Sequence, residues 1–326
     1  MDFTLTDEQS LLRETARGFL ARECPPSLVR AHADDPTVAD PLWAQLQEWV
    51  ALADGPLVDL CLFLEECGAV LAPGPFFATT ALYAPLVEGS DSGSGTVAWA
   101  GASGEWTTEP STDDVRTFVL EADRVDHVAF VVPGPAVLVV AGPLSDRPVG
   151  ALDSTRRLFE VGVPRGTTAA RPIEPSRLAL VLARATVALA AELVGSARWI
   201  LDATVAYAKA RVQFDQPIGS FQAVQHKLAD MALAVEEAWS AVYYAAMALD
   251  ADDPDQHRAV HVAKAAAGEA ATRCAKDGIQ IHGGIGYTWE HDLHLYIRRV
   301  YASEHLLGTT AWHHDRLADL LLGPRD

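Results

Sequence analysis

The chain has 326 residues, 25 Lys+Arg against 44 Asp+Glu, a formal net charge of −19 and 49% hydrophobic residues. So large an acidic excess excludes nucleic acid or an anionic membrane as a bulk electrostatic partner, and the composition excludes an intrinsically disordered chain. Length alone predicts about two domains, each able to bury a core without staples.

The N-terminal part reads as helical. Thr6 before Asp7 and Glu8 opens a helix carrying Leu11, Leu12, Ala16, Phe19 and Leu20 at three- and four-residue spacing. Pro25-Pro26 stops it. Further helices are expected over Pro41–Leu52, Pro56–Leu71 and Phe76–Val87, the Pro56–Leu71 helix ended by Pro73-Gly74-Pro75. The polar opening Met1-Asp2-Phe3-Thr4 lacks the basic-then-apolar pattern of a signal peptide, and Cys24, Cys61, Cys67 and Cys274 form no C-x-x-C pair. A reducing, cytoplasmic setting is expected.

From Gly89 to about Val163 the texture changes to short β-branched runs between Gly, Pro, Asp and Ser clusters. Strands are expected at Thr96–Ala100, Arg116–Leu120, His127–Val132 and Ala136–Ala141, together forming a small antiparallel β domain. From Pro175 the chain is helical again: a helix of roughly 35 residues to Arg211, then Phe221–Leu249, Gln256–Ile281 and a fourth after Gly283-Gly284-Ile285-Gly286. Long helices with short turns predict a four-helix bundle. The most apolar stretch, Leu178–Val194, carries Arg184 and Glu192, which argues against a membrane span. The fold class is therefore mainly α with a small central β domain, divided at residues 1–92, 93–172 and 173–326.

Two local patterns carry chemistry. In Tyr207-Ala-Lys-Ala-Arg211-Val-Gln-Phe214-Asp-Gln-Pro217-Ile-Gly219-Ser-Phe-Gln222, an arginine ends a long helix and a tight turn leads into the next. A forked guanidinium beside a helix N-terminus suits a phosphate; an exposed arginine in a plain helix connection explains the pattern equally. In Gln280-Ile-His282-Gly283-Gly284-Ile-Gly286-Tyr287, the glycines permit positive φ or close backbone approach. No strand precedes them, which excludes a dinucleotide fingerprint of the strand–turn–helix kind. His257 and His261, four residues apart, and the C-terminal His291, His294, His313 and His314 read as solvated helix-face residues, without a third ligand to complete a metal site.

Taken together, 69 positions apart, the two patterns resemble the C-terminal domain of the acyl-CoA dehydrogenase family, and Leu5-Thr-Asp-Glu-Gln-Ser-Leu-Leu-Arg13 resembles its first helix. The order of helical, β and bundle segments matches its three-domain plan. The resemblance implies FAD as cofactor and oxidation of an acyl-CoA thioester to the trans-2-enoyl-CoA. It makes Arg211, Phe214 and Gln222 contacts to the flavin dinucleotide, and Gln280, Gly283 and Gly284 part of the site for its adenine and pyrophosphate portion, on FAD held mainly by a neighbouring subunit.

Two departures stand beside the match. The family's base is a carboxylate, and aligning Arg298 and Gly308-Thr309 puts Leu307 at its position, while the alternative location early in the first bundle helix falls at Ala185. Glu192 lies two turns further on, and Glu304 lies one turn before Leu307, with an ion-paired or solvated role beside Arg298 or Arg299 expected. Glu290 is expected to open the last helix. The flavin-covering segment is also absent, Thr108-Glu109-Pro110 reading as a turn. The chain thus resembles the smaller, base-lacking subunit of actinobacterial α2β2 enzymes of steroid side-chain breakdown. No catalytic residue is assigned to it. The resemblance implies a second family subunit as partner, an acyl-CoA as substrate and an electron-transfer flavoprotein as an acceptor. A non-catalytic scaffold, or a self-sufficient homotetramer with a displaced base, stays open.

Overall fold

A computed structural model describes residues 4–87, 93–144, 147–164 and 170–323. The expected change of texture at Gly89 lies outside the described residues. The chain divides into two compact units, one built from Met1–Pro26, Val58–Ala72 and Thr186–Asp326, the other from Ser27–Leu57 and Pro73–Ala185.

The second unit holds α2 (Pro26–Asp34), α3 (Asp40–Leu46), the short α5 (Ala84–Leu86) and the sheets. Sequence reading takes Pro25-Pro26 only as a stop, but Pro26 also starts α2, its missing N–H being free of cost at the first helical position. Strands β1 (Gly95–Ala98), β3 (His127–Val132), β4 (Ala136–Ala141) and β7 (Arg171–Pro172) form one sheet. Strands β2 (Val115–Leu120), β6 (Leu158–Gly162) and β5 (Arg147–Pro148) form another. The expectation of a purely antiparallel domain is corrected at β1, which pairs with β3 in parallel. After β1 the chain crosses to the other sheet as β2 before returning as β3, so the two strands run the same way.

The apolar run of β3 is buried on both faces. Val128, Phe130 and Val132 pack with Val119, Phe159 and Val161, whereas Ala129 and Val131 pack with Tyr83, Trp99, Leu178 and Val181. That is why β3 reads as a continuous apolar run and not as an alternating one. The β1–β2 connection folds on itself: the buried Arg116 guanidinium donates to the carbonyls of Ser111 and Asp113, and the Thr107 hydroxyl donates to the Glu109 carbonyl at 2.8 Å. Thr108-Glu109-Pro110 is accordingly an exposed bend.

The first unit is helical: α1 (Asp7–Glu23), α4 (Leu57–Val70), the later part of α6 (Pro175–Ala210), α7 (Gln222–Asp250), α8 (Gln256–His282), α9 (Leu293–His305) and α10 (Thr310–Leu322). Thr6 caps α1 in a reciprocal box with Gln9. The α6 helix is long and apolar enough to cross a membrane, yet 72% of its most apolar window is buried inside the protein. The expected fourth bundle helix is two, broken where Leu307 and Gly308 both take positive φ. Alanines and glycines dominate the buried face of α8, among them Ala263, Ala267, Gly268, Ala271 and Gly278, which lets neighbouring helices approach closely.

The closest approach is α4 against α6. A Cβ on Gly68 would overlap the Glu192 carbonyl, and one on Gly195 would overlap the Glu65 carbonyl. Gly195→Ala is therefore expected to lower stability by about 2–3 kcal/mol in urea unfolding. Gly18→Ala, in the exposed interior of α1 where a Cβ meets nothing within 4 Å, should raise it by about 0.5–1 kcal/mol. Equal effects at the two positions would contradict the close crossing.

Candidate functional site

The end of the bundle where α6 and α8 finish and α7 begins gathers all six expected cofactor residues. After Ala210 the chain makes a two-residue hairpin, β8 (Val212–Gln213) against β9 (Gln216–Pro217), with Phe214 and Asp215 at its tip. Both tip residues lie in the left-handed region, at φ of 54° and 63°. A phenylalanine there is strained, and its ring is 86% exposed with only an edge contact to Phe221. Strain and apolar exposure at one residue mark a surface built for contact. The Ile218 amide donates to the Arg211 carbonyl at 2.8 Å and closes the hairpin onto the helix end.

Arg211 is exposed, and its guanidinium has no carboxylate or carbonyl partner among the described residues. Beside it α7 starts at Gln222 without a side-chain cap and without an acidic residue in its first turn. The positive end of a 29-residue helix is thus left unneutralised. At the end of α8, Gln280 and Gly284 are exposed, and Gly283 adopts φ 63°, ψ −142°, a conformation open in practice to glycine alone. A Cβ on Gly283 or Gly284 would meet nothing within 4 Å, so the backbone there faces open space. An exposed fork of donors, an uncapped helix start, two exposed glutamines and a bare glycine backbone form a donor set that fits an anionic dinucleotide.

Tyr207 and His282 link the two halves. Their rings stack at 4.4 Å with planes 20° apart, and the Tyr207 hydroxyl donates to the His282 carbonyl at 3.4 Å. Neither residue was singled out for this role by local pattern, because 75 positions separate them.

The expected base positions hold no free carboxylate. Ala185 is fully buried, and Leu307 sits in the α9–α10 turn at φ 57°. Glu192 is buried and ion-paired with buried Arg299 at 2.6 Å. Glu304 pairs with neither arginine considered for it: one oxygen accepts from the Thr310 amide at 2.6 Å and the other meets His305 at 2.7 Å. Glu290 is exposed in the turn before α9 and does not open it; the helix begins at Leu293.

Under the α9–α10 turn lies a cluster of buried Lys264, buried His313 and half-buried His261, the two histidines being expected from sequence as solvated. Lys264, 0% exposed, donates to the carbonyls of Glu304 and Gly308 at 2.9 and 2.8 Å. His313 Nε2 donates to the Leu307 carbonyl at 3.0 Å, which leaves its Nδ1 to accept from His261 Nδ1 at 2.8 Å. Burial pulls Lys264 down to about 8, and burial with neighbouring positive charge pulls His261 to about 4 and His313 to about 3. Among the described residues no group of three His, Cys, Asp or Glu could hold a metal ion.

The family description "Acyl-CoA dehydrogenase, C-terminal domain" matches residues 177–322. Acyl-CoA dehydrogenase IpdE2 of Mycobacterium tuberculosis is 34% identical over 93% of this chain and 94% of its own length. Among solved structures, the ChsE4–ChsE5 complex of Mycobacterium tuberculosis has a TM-score of 0.84 at 24% identity, covering all of both chains. A variant of the Tcur3481–Tcur3483 steroid ACAD has a TM-score of 0.83 at 26% identity, covering 98% of each chain. The chain belongs to the acyl-CoA dehydrogenase family. That membership places it among the oxidoreductases.

The His261–His313 pair sets an acid limit. Both folded-state values lie below the ordinary 6.5, so on acidification the unfolded chain takes up protons first. The stability from keeping the pair neutral is complete above about pH 6.5 and is lost as pH falls through about 4 and 3. Between pH 7 and 5 the protein should lose roughly 4 kcal/mol more in urea unfolding than a H261Q/H313Q variant. Parallel pH profiles for the two would contradict the neutral pair.

Proposed function

We propose that this chain is the FAD-completing subunit of a heteromeric acyl-CoA dehydrogenase, active with a second, base-bearing family subunit in an α2β2 assembly. The observation that carries the reading is the pairing of an open donor platform, Arg211 to Gln222 with Gln280 to Gly284, with a turn whose base position is a leucine. Arg211 would pin the pyrophosphate, Phe214 would lie against the dinucleotide, and Gln222, Gln280 and the Gly283–Gly284 backbone would take its remaining polar groups. In a chain of net charge −19 this attraction has to come from locally placed donors. Bound FAD would supply the hydride acceptor for the substrate β-carbon, and a carboxylate of the second subunit would take the α-proton, so that a carbon–carbon double bond would result. The likeness to a two-component steroid ACAD and to the ChsE4–ChsE5 complex supports a partner of the same family and a bulky substrate, for which we propose the CoA ester of a steroid side chain. The proposed electron acceptor is an electron-transfer flavoprotein, and the proposed compartment is the cytoplasm.

The capture of both nearby carboxylates, Glu192 by Arg299 and Glu304 by Thr310 and His305, argues against a self-sufficient enzyme with a displaced base. Co-expression with a longer, base-bearing chain of the same family from the same genome tests the reading. The complex should retain FAD and bleach it with an acyl-CoA substrate, whereas this chain alone should turn nothing over. Arg211→Ala should weaken FAD binding by the complex about 10- to 100-fold. Firm flavin retention and turnover by the isolated chain, or unchanged FAD affinity in the variant, would defeat it.

A further inference from the structure

We propose that Tyr207 and His282 act as a positioning pair, their ring stack holding the Arg211–Gln222 connection and the Gln280–Gly284 segment in one fixed relation. The functional weight of this pair rests on the cofactor reading above.

Each ring sits where one segment departs from its helix. Tyr207 is one turn before Arg211, whose amide donates to the Tyr207 carbonyl at 2.9 Å. His282 is the last residue of α8, directly before Gly283. Beyond these points both segments loosen: the hairpin tip holds two left-handed residues and the other side opens on a glycine at φ 63°. Among the described residues no hydrogen bond or ion pair joins Val212–Pro217 directly to Gly283–Tyr287. The stack is therefore the nearest bridge between them.

His282 is also held in one orientation. Its Nδ1 lies 2.8 Å from the Gly278 carbonyl, which can only accept, so the proton is on Nδ1 and Nε2 is bare. That Nε2 is buried without a hydrogen-bond partner among the described residues. A buried polar atom left unsatisfied needs a reason to persist, and here the plane of the ring supplies it. Tyr207 covers one face, and His291 meets the ring edge-on at 4.8 Å, its own Nδ1 accepting from the Leu293 amide at 3.1 Å. The ring is thus fixed by α6, α8 and the start of α9 together.

Hydrogen–deuterium exchange on the full chain tests the pair. Tyr207→Ala and His282→Ala should each raise amide exchange about tenfold in both segments, residues 211–219 and 283–288, while Tyr207→Phe and His282→Phe keep both near wild type. Faster exchange confined to the segment next to the substitution, or phenylalanine variants behaving like alanine ones, would overturn the proposal. Should an alanine variant fail to fold, Tyr207→Leu, which keeps bulk without a ring, carries the same expectation. FAD affinity of the co-expressed complex separates the two readings. Coupled exchange with an Arg211→Ala variant that binds FAD normally keeps the pair and removes the cofactor reading. Uncoupled exchange with FAD affinity still dependent on Arg211 removes the pair alone.

Discussion

The crossing of α4 over α6 is so close that no side chain fits between the two backbones, and much of the helical unit is arranged around that constraint. Gly68 lies against the Glu192 carbonyl and Gly195 against the Glu65 carbonyl, an antiparallel pair of contacts one helical turn apart. Each neighbouring helix then fastens to the crossing through polar groups. Arg17 of α1 pairs with Glu66 at 2.8 Å, and Trp239 of α7 donates to Glu65 at 3.0 Å. From α9, Arg299 pairs with Glu192, and the Tyr296 hydroxyl donates to the Ala69 carbonyl at 2.7 Å. Burial pushes the Glu65 carboxyl above its usual range, against the pull of Arg198 and the indole of Trp239. Removing one member of a buried ion pair of this kind costs about 3–5 kcal/mol, because the other charge is left stranded. Glu192 is for that reason a structural carboxylate.

The same arrangement leaves the donor end of the bundle free. Polar side chains near the crossing are consumed inward, whereas Arg211, Gln222 and Gln280 remain exposed where α6 and α8 end and α7 begins. Tyr287 and Trp289, 74% and 63% exposed, and Phe214 continue that end as apolar surface. A strongly acidic chain with cation, amides and aromatic rings concentrated in this way is suited to meeting an anionic ligand presented by another protein.

What could be read from the sequence was what short-range spacing encodes. The helix start at Thr6, the strand His127–Val132 and the Arg211–Gln222 turn are all local patterns, and each lies where it was expected. Contacts between distant positions left no such trace. Glu192 and Arg299 are 107 positions apart, and nothing about either residue alone names its partner. The parallel pairing of β1 with β3 follows from a crossover that turn residues do not announce. Of the histidines read one at a time as solvated helix-face residues, His313 is buried and His261 half-buried, because the two meet only after the α9–α10 turn reverses the chain. Asp215 in the left-handed region was hidden for another reason: aspartate tolerates that region better than most residues, so its presence carries little signal.

The α9–α10 turn keeps its shape with a leucine at the position where the family resemblance expects a base. Its backbone is held from beneath by Lys264 on the carbonyls of Glu304 and Gly308, and by His313 on that of Leu307. Glu304 closes it from within by capping the Thr310 amide. None of these bonds involves the side chain of residue 307, so a leucine is compatible with the same left-handed backbone at φ 57°. The fixed carbonyls also bind the neighbouring carboxylate to its place. For Glu304 to swing toward a substrate it would have to leave the Thr310 amide and His305 together, stripping the Thr310 amide of its acceptor above a buried lysine. The network that preserves the turn is therefore the same network that keeps its nearest carboxylate from serving as a base.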